Sequence, residues 1–363
     1  MTTMTTLSTL FDVERLGVLM APEATNPLEV EGVLNPAGVM GPDGHYYLFP
    51  RLVAEGNYSR VGLARVQHDA EGRPVGVERL GIALEPEAPY EIARPGVGGC
   101  EDPRVTYLAC LDRYVMAYTA LGPYGPHVAL ASSRDLRAWT RHGLVAFATE
   151  GDVDFGLYAN KDAMLLPEPV RAPNGALALA LLHRPMYETW SGFDGEGSVP
   201  AALPAGVSDN RPSMWVSYVP LEDVGWLDGD EAARVAQHTL LATPQGVWEA
   251  YRIGGGTVPV RAHGGWLTFY HGVELYPDGG RCYRAGALLL DRDDPRIILA
   301  RSPAPVFGPE TAEERVGVVS NVVFPTAVDQ RGDHFDVYYG MADSRIGVAR
   351  LVAKDAEAET YAA

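Results

Sequence analysis

Cysteine is scarce in this chain, and the three residues present, Cys100, Cys110 and Cys282, are an odd number without metal-ligand spacing. That excludes a disulfide scaffold and a thiolate zinc site, and it suits reduced thiols in a cytoplasm. Positive charge is also short. Against 47 acidic residues stand 29 Lys and Arg, a net charge of −18, which argues against nucleic acid or an anionic membrane as a partner. An anion-binding site would have to be a local basic cluster that works against the global field. No apolar run reaches about 18 residues, so no membrane-spanning helix is expected. Met1 to Leu10 is Thr-rich, without a basic segment leading into an apolar one, so no secretory signal is expected. A Walker-type phosphate loop and a GxSxG elbow are both missing. No metal and no organic cofactor is implied.

What is present is a repeat. A turn followed by an aromatic or aliphatic strand with a polar end occurs as Gly44 to Arg51, Asp112 to Thr119, Asn174 to Arg184, Gly265 to His271 and Gly332 to Gly340. Each copy precedes a second strand with small residues in its middle: Ser59 to Ala64, His127 to Ala131, Met214 to Tyr218, Arg284 to Leu288 and Arg345 to Ala349. The copies return every ~60 to 90 residues, a spacing that suits propeller blades with loops. The expected fold is all-β, a five-bladed β-propeller with the active site at the central axis. A sandwich is the weaker reading, because five similar units follow one another without helical interludes. Forty glycines and 28 prolines, spread along the chain, agree with turn-rich β structure.

The expected organisation is an N-terminal lead-in over 1–30, a single catalytic propeller over 31–353 and a frayed tail over 354–363. Asp12 to Leu16 reads as a short helix, and Leu221 to Gln237 could hold another. Acidic, proline-bearing segments, Glu85 to Pro89 and Pro303 to Glu314, separate the blades. The longest irregular stretch, Met186 to Pro212, carries Trp190 and Phe193 and reads as a lid or an oligomer contact, which leaves a homo-oligomer open.

Inner strands of a propeller meet around one pocket, so their polar ends matter most. Arg51, Thr119, Arg184, His271 and Asp343 stand there. Paired singly, each would be an ordinary ion pair, but two arginines and a histidine converging in an acidic protein suit phosphate or a carboxylate. Gly98-Gly99-Cys100-Glu101-Asp102-Pro103-Arg104 adds two glycines that allow close backbone approach and an Asp-Pro turn. Asp294-Pro295-Arg296 repeats the last three residues as an internal control. The third cluster, Asn160-Lys161-Asp162, occupies in blade three the place of Asp102 in blade two.

From Asn35-Pro36 to Asp343 the chain resembles glycoside hydrolase family 130, the β-mannoside phosphorylases and β-1,2-mannosidases. The motifs are Glu101-Asp102-Pro103-Arg104, Asn160-Lys161-Asp162-Ala163, His183-Arg184-Pro185, Trp266-Leu267 with Tyr270-His271-Gly272-Val273, Asn321 to Pro325, and Tyr338-Tyr339-Gly340. The resemblance implies a five-bladed propeller and an inverting phosphorolysis that yields α-mannose 1-phosphate. Asp102 would be the general acid, acting through the 3-hydroxyl of the mannosyl unit, with phosphate as the nucleophile in place of a base-activated water. Arg60, Arg184 and His271 would hold phosphate, with Lys161 a fourth member. Arg51, Asn160, Asp162 and Asp343 would hold the mannosyl hydroxyls, and Asn35, Glu101 and Arg104 also line the substrate. Tyr270 and Tyr339 are either ring-stacking groups or core aromatics. The expected partners are a β-mannoside or mannooligosaccharide and phosphate.

Two departures stand out. Gly254-Gly255-Gly256-Thr257-Val258-Pro259 has one proline where the phosphorylases often have two, and the Met186 to Pro212 insertion has no counterpart. A β-1,2-mannosidase of the same family is the alternative, with Glu274 as the base. A non-catalytic carbohydrate-binding propeller would have no need of an acid at Asp102, and an arabinanase-like hydrolase would need a less basic axis.

Overall fold

In the computed structural model the described residues are 11–151, 153–189, 199–200, 203–204, 206–229 and 231–354. Residues 1–10, the tail beyond 354 and the Trp190 and Phe193 region of the proposed lid lie outside them. The described chain is nearly all β, with a few short helical turns such as Leu221–Leu227. The repeated strands of the sequence appear as Tyr46–Ala54, Arg113–Gly122, Leu177–Pro185, Gly265–Leu275 and His334–Met341. Their antiparallel partners are Tyr58–His68, Gly125–Ser133, Met214–Pro220, Arg281–Leu290 and Arg345–Ala353.

Each pair is widened by a strand on either side into an antiparallel unit. The flanking strands are Gly32–Met40 and Pro74–Leu84 in unit 1, Val97–Leu108 and Thr140–Leu144 in unit 2, and Asn160–Leu165 and Arg234–Ala242 in unit 3. Unit 4 has two short strands, Arg252–Gly254 and Val260–Ala262, on one side and Ile298–Arg301 on the other. Unit 5 is flanked by Val323–Arg331 and by Phe11–Met20. The helix expected at Asp12 to Leu16 is therefore a strand. Phe11 is buried and Val13 packs beside it, while Asp12 and Glu14 face water, an alternation of period two. The described part of the expected lead-in is thus built into unit 5, where Arg15 lies opposite Ala349.

Units 1 and 2 are fused into one sheet by a two-residue parallel pairing, Tyr58 with Gly98 and Ser59 with Gly99. The glycine pair is what permits it. A Cβ on Gly99 would stand 2.0 Å from the Ser59 carbonyl oxygen, and both glycines have positive φ.

The core is divided among the seams between units. One cluster joins Phe49 and Val61 to Met116, another Val115 and Val128 to Leu179, a third Met164 and Leu182 to Trp266, and a fourth Phe269 and Ala287 to Val337. A fifth, with Leu48 and Val66 against Tyr338 and Val348, packs unit 5 against unit 1. A cavity of about 280 Å³ is lined by Val39, Val105, Pro167, Val258 and Val328, one residue from the first part of each unit.

A second repeat lies in the corners of four units, where a buried glutamate holds an outer-strand arginine. The pairs are Glu29–Arg79 (3.1 Å), Glu91–Arg141 (3.0 Å), Glu249–Arg301 (2.8 Å) and Glu314–Arg15 (2.9 Å). In units 2, 4 and 5 the same carboxylates accept from Tyr118, Tyr270 and Tyr339 at 2.6, 2.9 and 2.8 Å. The spare lone pairs cap backbone N–H groups, such as those of Ala88, Gly246 and Thr311, so these buried charges are fully satisfied.

Candidate active site

Polar side chains reach the site from three bulges that share one backbone device. Asn35, Asp102 and Asp162 have φ of 43°, 44° and 56°, each where the register slips between the first two strands of its unit. Asn and Asp tolerate this left-handed region better than other residues, and the bulge re-aims the side chain. In unit 4 glycines replace them. A Cβ on Gly254 would stand 2.2 Å from Asp162 Oδ2, and one on Gly256 would stand 2.0 Å from the Phe269 carbonyl oxygen. The single-proline departure thus lies beside a glycine run that lets backbone pack against Asp162.

Two charged groups result. In the first, Asp102 Oδ1 accepts from Asn35 Nδ2 (2.9 Å) and Arg51 Nη1 (3.3 Å). Glu101 bridges Arg51 (2.7 Å) and Lys161 (3.0 Å), and Ser59 Oγ accepts from Arg51 Nε (2.9 Å). Burial alone would raise the Asp102 carboxyl, but Arg51, Lys161, Asn35 and Arg104 together hold it below the usual carboxylate range. Burial pushes the Asp343 carboxyl the other way, up to about 6, aided by the charges of Asp102 and Glu101 and opposed by Arg51 and Lys161. Two neighbouring carboxyls with opposed shifts form a pair suited to acid chemistry.

In the second group Arg184 Nε donates to Asp162 Oδ2 at 2.6 Å, and His271 Nε2 lies 3.7 Å from the same oxygen. Despite burial, Arg184, His271 and Arg104 hold Asp162 well below its ordinary value. His271 Nδ1 is 3.2 Å from the Gly255 carbonyl, which can only accept, so Nδ1 carries the proton and Nε2 a lone pair. Burial lowers this imidazole to about 3, so at neutral pH it is uncharged and not the cation expected from the sequence. Arg104 is fully buried: it donates to the carbonyls of Asp102 (3.1 Å), Pro103 (2.9 Å) and Gly256, and its Nη2 has no partner. The control tripeptide behaves differently, since Arg296 only closes on its own Asp294 at 2.6 Å at the surface.

Not every expected residue joins these groups. Arg60 Nε is held by Glu85 (2.9 Å) over the Tyr58 ring while its buried Nη1 has no partner, and no hydrogen bond or ion pair links it to Arg184, His271 or Asp102. Strand alternation explains this, because Ser59, not Arg60, faces Arg51. Lys161 is paired with Glu101 at 3.0 Å and stands directly across the strand pair from Arg184. Tyr270 and Tyr339 are fully buried in the corner triads, which leaves neither ring for stacking on a sugar. Glu274 is paired with Arg284 at 2.7 Å. Asn160 is buried with its carboxamide against His183 at 3.0 Å. Thr119 lies directly across the strand pair from Glu101.

One residue was not anticipated. Arg252 pairs across the sheet with Val273, donates to the Tyr283 hydroxyl at 2.6 Å, and its charge is among those that lower His271. Its buried Nε has no partner, and Tyr283 stacks on the His271 ring at 6.1 Å. The only hint in the sequence was Tyr251-Arg252 ahead of the glycine run.

The family described as beta-1,4-mannooligosaccharide phosphorylase matches residues 203–355. A 1,2-beta-oligomannan phosphorylase of Thermoanaerobacter sp. (strain X514) is 29% identical over 342 residues, covering 93% of this chain and 95% of the relative. A beta-1,2-mannobiose phosphorylase from the same organism is 31% identical over 254 residues, covering 69% and 66%. Among solved structures, the β-1,2-mannobiose phosphorylase of Listeria innocua in complex with β-1,2-mannobiose superposes with a TM-score of 0.69 at 22% identity, covering 94% and 97%. The chain belongs to glycoside hydrolase family 130.

Proposed function

We propose that the protein is an inverting β-mannoside phosphorylase that cleaves a β-mannosidic bond with inorganic phosphate to give α-mannose 1-phosphate and a shortened sugar. The observation that carries this reading is the pair of charged groups. One is a carboxylate pair, Asp102 and Asp343, and the other a basic group around Arg184 with unspent donors on Arg104 and Arg252. An acid beside an anion cradle is what phosphorolysis needs, since phosphate is already a nucleophile and requires no base.

In this reading Arg184, Arg104 and Arg252 donate to phosphate, and the bare Nε2 of His271 accepts from the phosphate hydroxyl. Arg51, Asn35, Asn160, Asp162, Asp343, Glu101 and Lys161 hold the mannosyl unit, and Asp102 delivers the proton. Arg51, Lys161 and Arg104 keep Asp102 ionised, so its proton arrives with the substrates: phosphate beside Arg104 offsets part of the positive charge that keeps the carboxylate bare. The relatives favour β-1,2-linked mannooligosaccharides. We further infer a five-bladed propeller with the site on its axis. Supporting it are the cyclic seams between units and the cavity lined from all five. Three free cysteines, with Cys110 exposed, support work in a reducing cytoplasm, and no described helix is long and apolar enough to cross a membrane.

The test is incubation with β-1,2- and β-1,4-linked mannobiose, with and without phosphate. Phosphate-dependent α-mannose 1-phosphate supports the reading. Free mannose released at the same rate without phosphate overturns it in favour of hydrolysis.

A further inference from the structure

Four units lock their corner with a charged glutamate–arginine pair, and among the described residues the third shows none. In unit 2 the arginine is opposite Ala131, two residues past Ala129, which faces Tyr118; in unit 5 it is opposite Ala349, two past Gly347, which faces Tyr339. The matching positions in unit 3 are His183, facing Trp215, and His238, in the stretch opposite Ser217. Tyrosine and arginine have both become histidine, and a serine stands between them.

These residues form an unbroken chain. His238 Nε2 lies 2.8 Å from the Ala148 carbonyl, His238 Nδ1 is 2.7 Å from Ser217 Oγ, and Ser217 Oγ is 2.8 Å from His183 Nε2. His183 Nδ1 is 3.0 Å from Asn160 Nδ2 and 3.2 Å from Asn160 Oδ1, so the carboxamide lies side-on to the ring nitrogen. The carbonyl at one end can only accept, and that fixes every proton along the line. His238 must donate from Nε2, so its Nδ1 accepts from the Ser217 hydroxyl. The Ser217 oxygen then accepts from His183 Nε2–H. His183 Nδ1 is left with a lone pair, and only the nitrogen of the Asn160 carboxamide can donate to it. The Ala148 carbonyl is itself held, because its own N–H donates to Val235 O at 2.9 Å. Both rings are neutral, since burial pushes His183 well below its ordinary value and lowers His238 as well.

We propose that His183, Ser217 and His238 are positioning residues that hold the Asn160 carboxamide in one orientation, its nitrogen donating to His183 Nδ1 and its oxygen, which a bare Nδ1 cannot donate to, left to accept from a substrate hydroxyl. In a Tyr–Glu–Arg corner the tyrosine hydroxyl is turned to the glutamate, as in Tyr118, Tyr270 and Tyr339, so no ring nitrogen would face Asn160. The exchange of a charged lock for a neutral chain thus occurs in the unit that supplies Asn160, Lys161, Asp162 and Arg184. Amide orientation matters here because a flipped Asn160 would present a donor where the substrate requires an acceptor, leaving a buried polar group unpaired.

The choice of substrate below rests on the phosphorylase reading; the tautomer measurement does not. In the full-length protein, ¹⁵N NMR of the histidine side chains at pH 7 should show His183 and His238 as neutral Nε2–H tautomers. An Nδ1–H tautomer or an imidazolium at His183 overturns the proposal. In kinetics with β-1,2-mannobiose, Ser217→Ala should raise the mannoside KM about tenfold, as loss of an orienting partner does, with the phosphate KM unchanged. An unchanged mannoside KM, or an equal rise in both KM values, also overturns it. If the wild-type protein cleaves no mannoside, the functional reading falls and the tautomers alone decide the positioning chain.

Discussion

Asp102 and Asp343 illustrate how far a carboxyl is set by its neighbours. Asp102, beside Arg51, Lys161 and Arg104, stays bare; Asp343, buried and repelled by Asp102, holds its proton to about pH 6. Asp102→Asn should lower kcat by about 10² to 10⁴, the usual worth of a general acid, while leaving mannoside binding measurable by calorimetry. Retained turnover would remove Asp102 from that role. Asp343 makes a separate prediction about stability. Its folded value lies above the unfolded 3.8, so its contribution is complete below pH 3.8 and is lost as pH rises through about 6. Asp343→Asn should therefore unfold with the wild type at pH 3.5 and later than it at pH 7.5, by at most about 3 kcal/mol. Equal melting at both values would show that the Asp343 charge costs the fold nothing. At the second charged group, Arg184→Ala should raise the phosphate KM well above the mannoside KM, because it removes the guanidinium and leaves Asp162 as an unpaired buried carboxylate facing the anion. A rise confined to the mannoside would invert the division of the site.

Elements were legible where periodicity and turn chemistry agreed, as in Gly265 to His271, where alternation and a turn glycine mark one strand. The Asp12 to Leu16 segment reads as helical because Val13 and Leu16 stand three apart, and only the Arg345–Ala353 strand, distant in sequence and paired with a register shift between Arg15 and Gly17, makes it β. Of the corner glutamates only Glu314 falls in a segment the sequence marks, the acidic connector Pro303 to Glu314, since burial of a single carboxylate leaves no local pattern. Spacing was the available signal: Glu91, Glu249 and Glu314 precede their tyrosines by 27, 21 and 25 residues. Among site residues, Asp102, Arg184 and Asp162 stood on recognisable motifs. The neutrality of His271 and the contribution of Arg252 depend on cross-sheet neighbours that no linear reading supplies. The corners make their own prediction. Glu249→Ala strands Arg301 and Tyr270 in the core and should cost about 3 to 5 kcal/mol, the penalty for breaking a buried pair from one side, as read by urea denaturation. A loss below about 1 kcal/mol would place the corner among surface pairs.

The molecule as a whole joins its beginning to its end. Phe11–Met20 completes the sheet whose other strands come from Val323 onward, and Arg15 reaches Glu314 across 299 residues of sequence. Deleting residues 1–20 should expose the Leu267, Phe269 and Val337 cluster and give protein that aggregates on expression, checked by solubility and size-exclusion chromatography. A soluble, fully active truncation would show that the strand is dispensable. The same join sets a clock on biosynthesis. A ribosome adding about 5 to 20 residues per second needs on the order of 15 to 60 s to make the 299 residues that separate Arg15 from its partner. For that interval the first strand has no edge to pair with and must be kept from other nascent chains, so the last seconds of translation, not the first, decide whether the ring of seams closes.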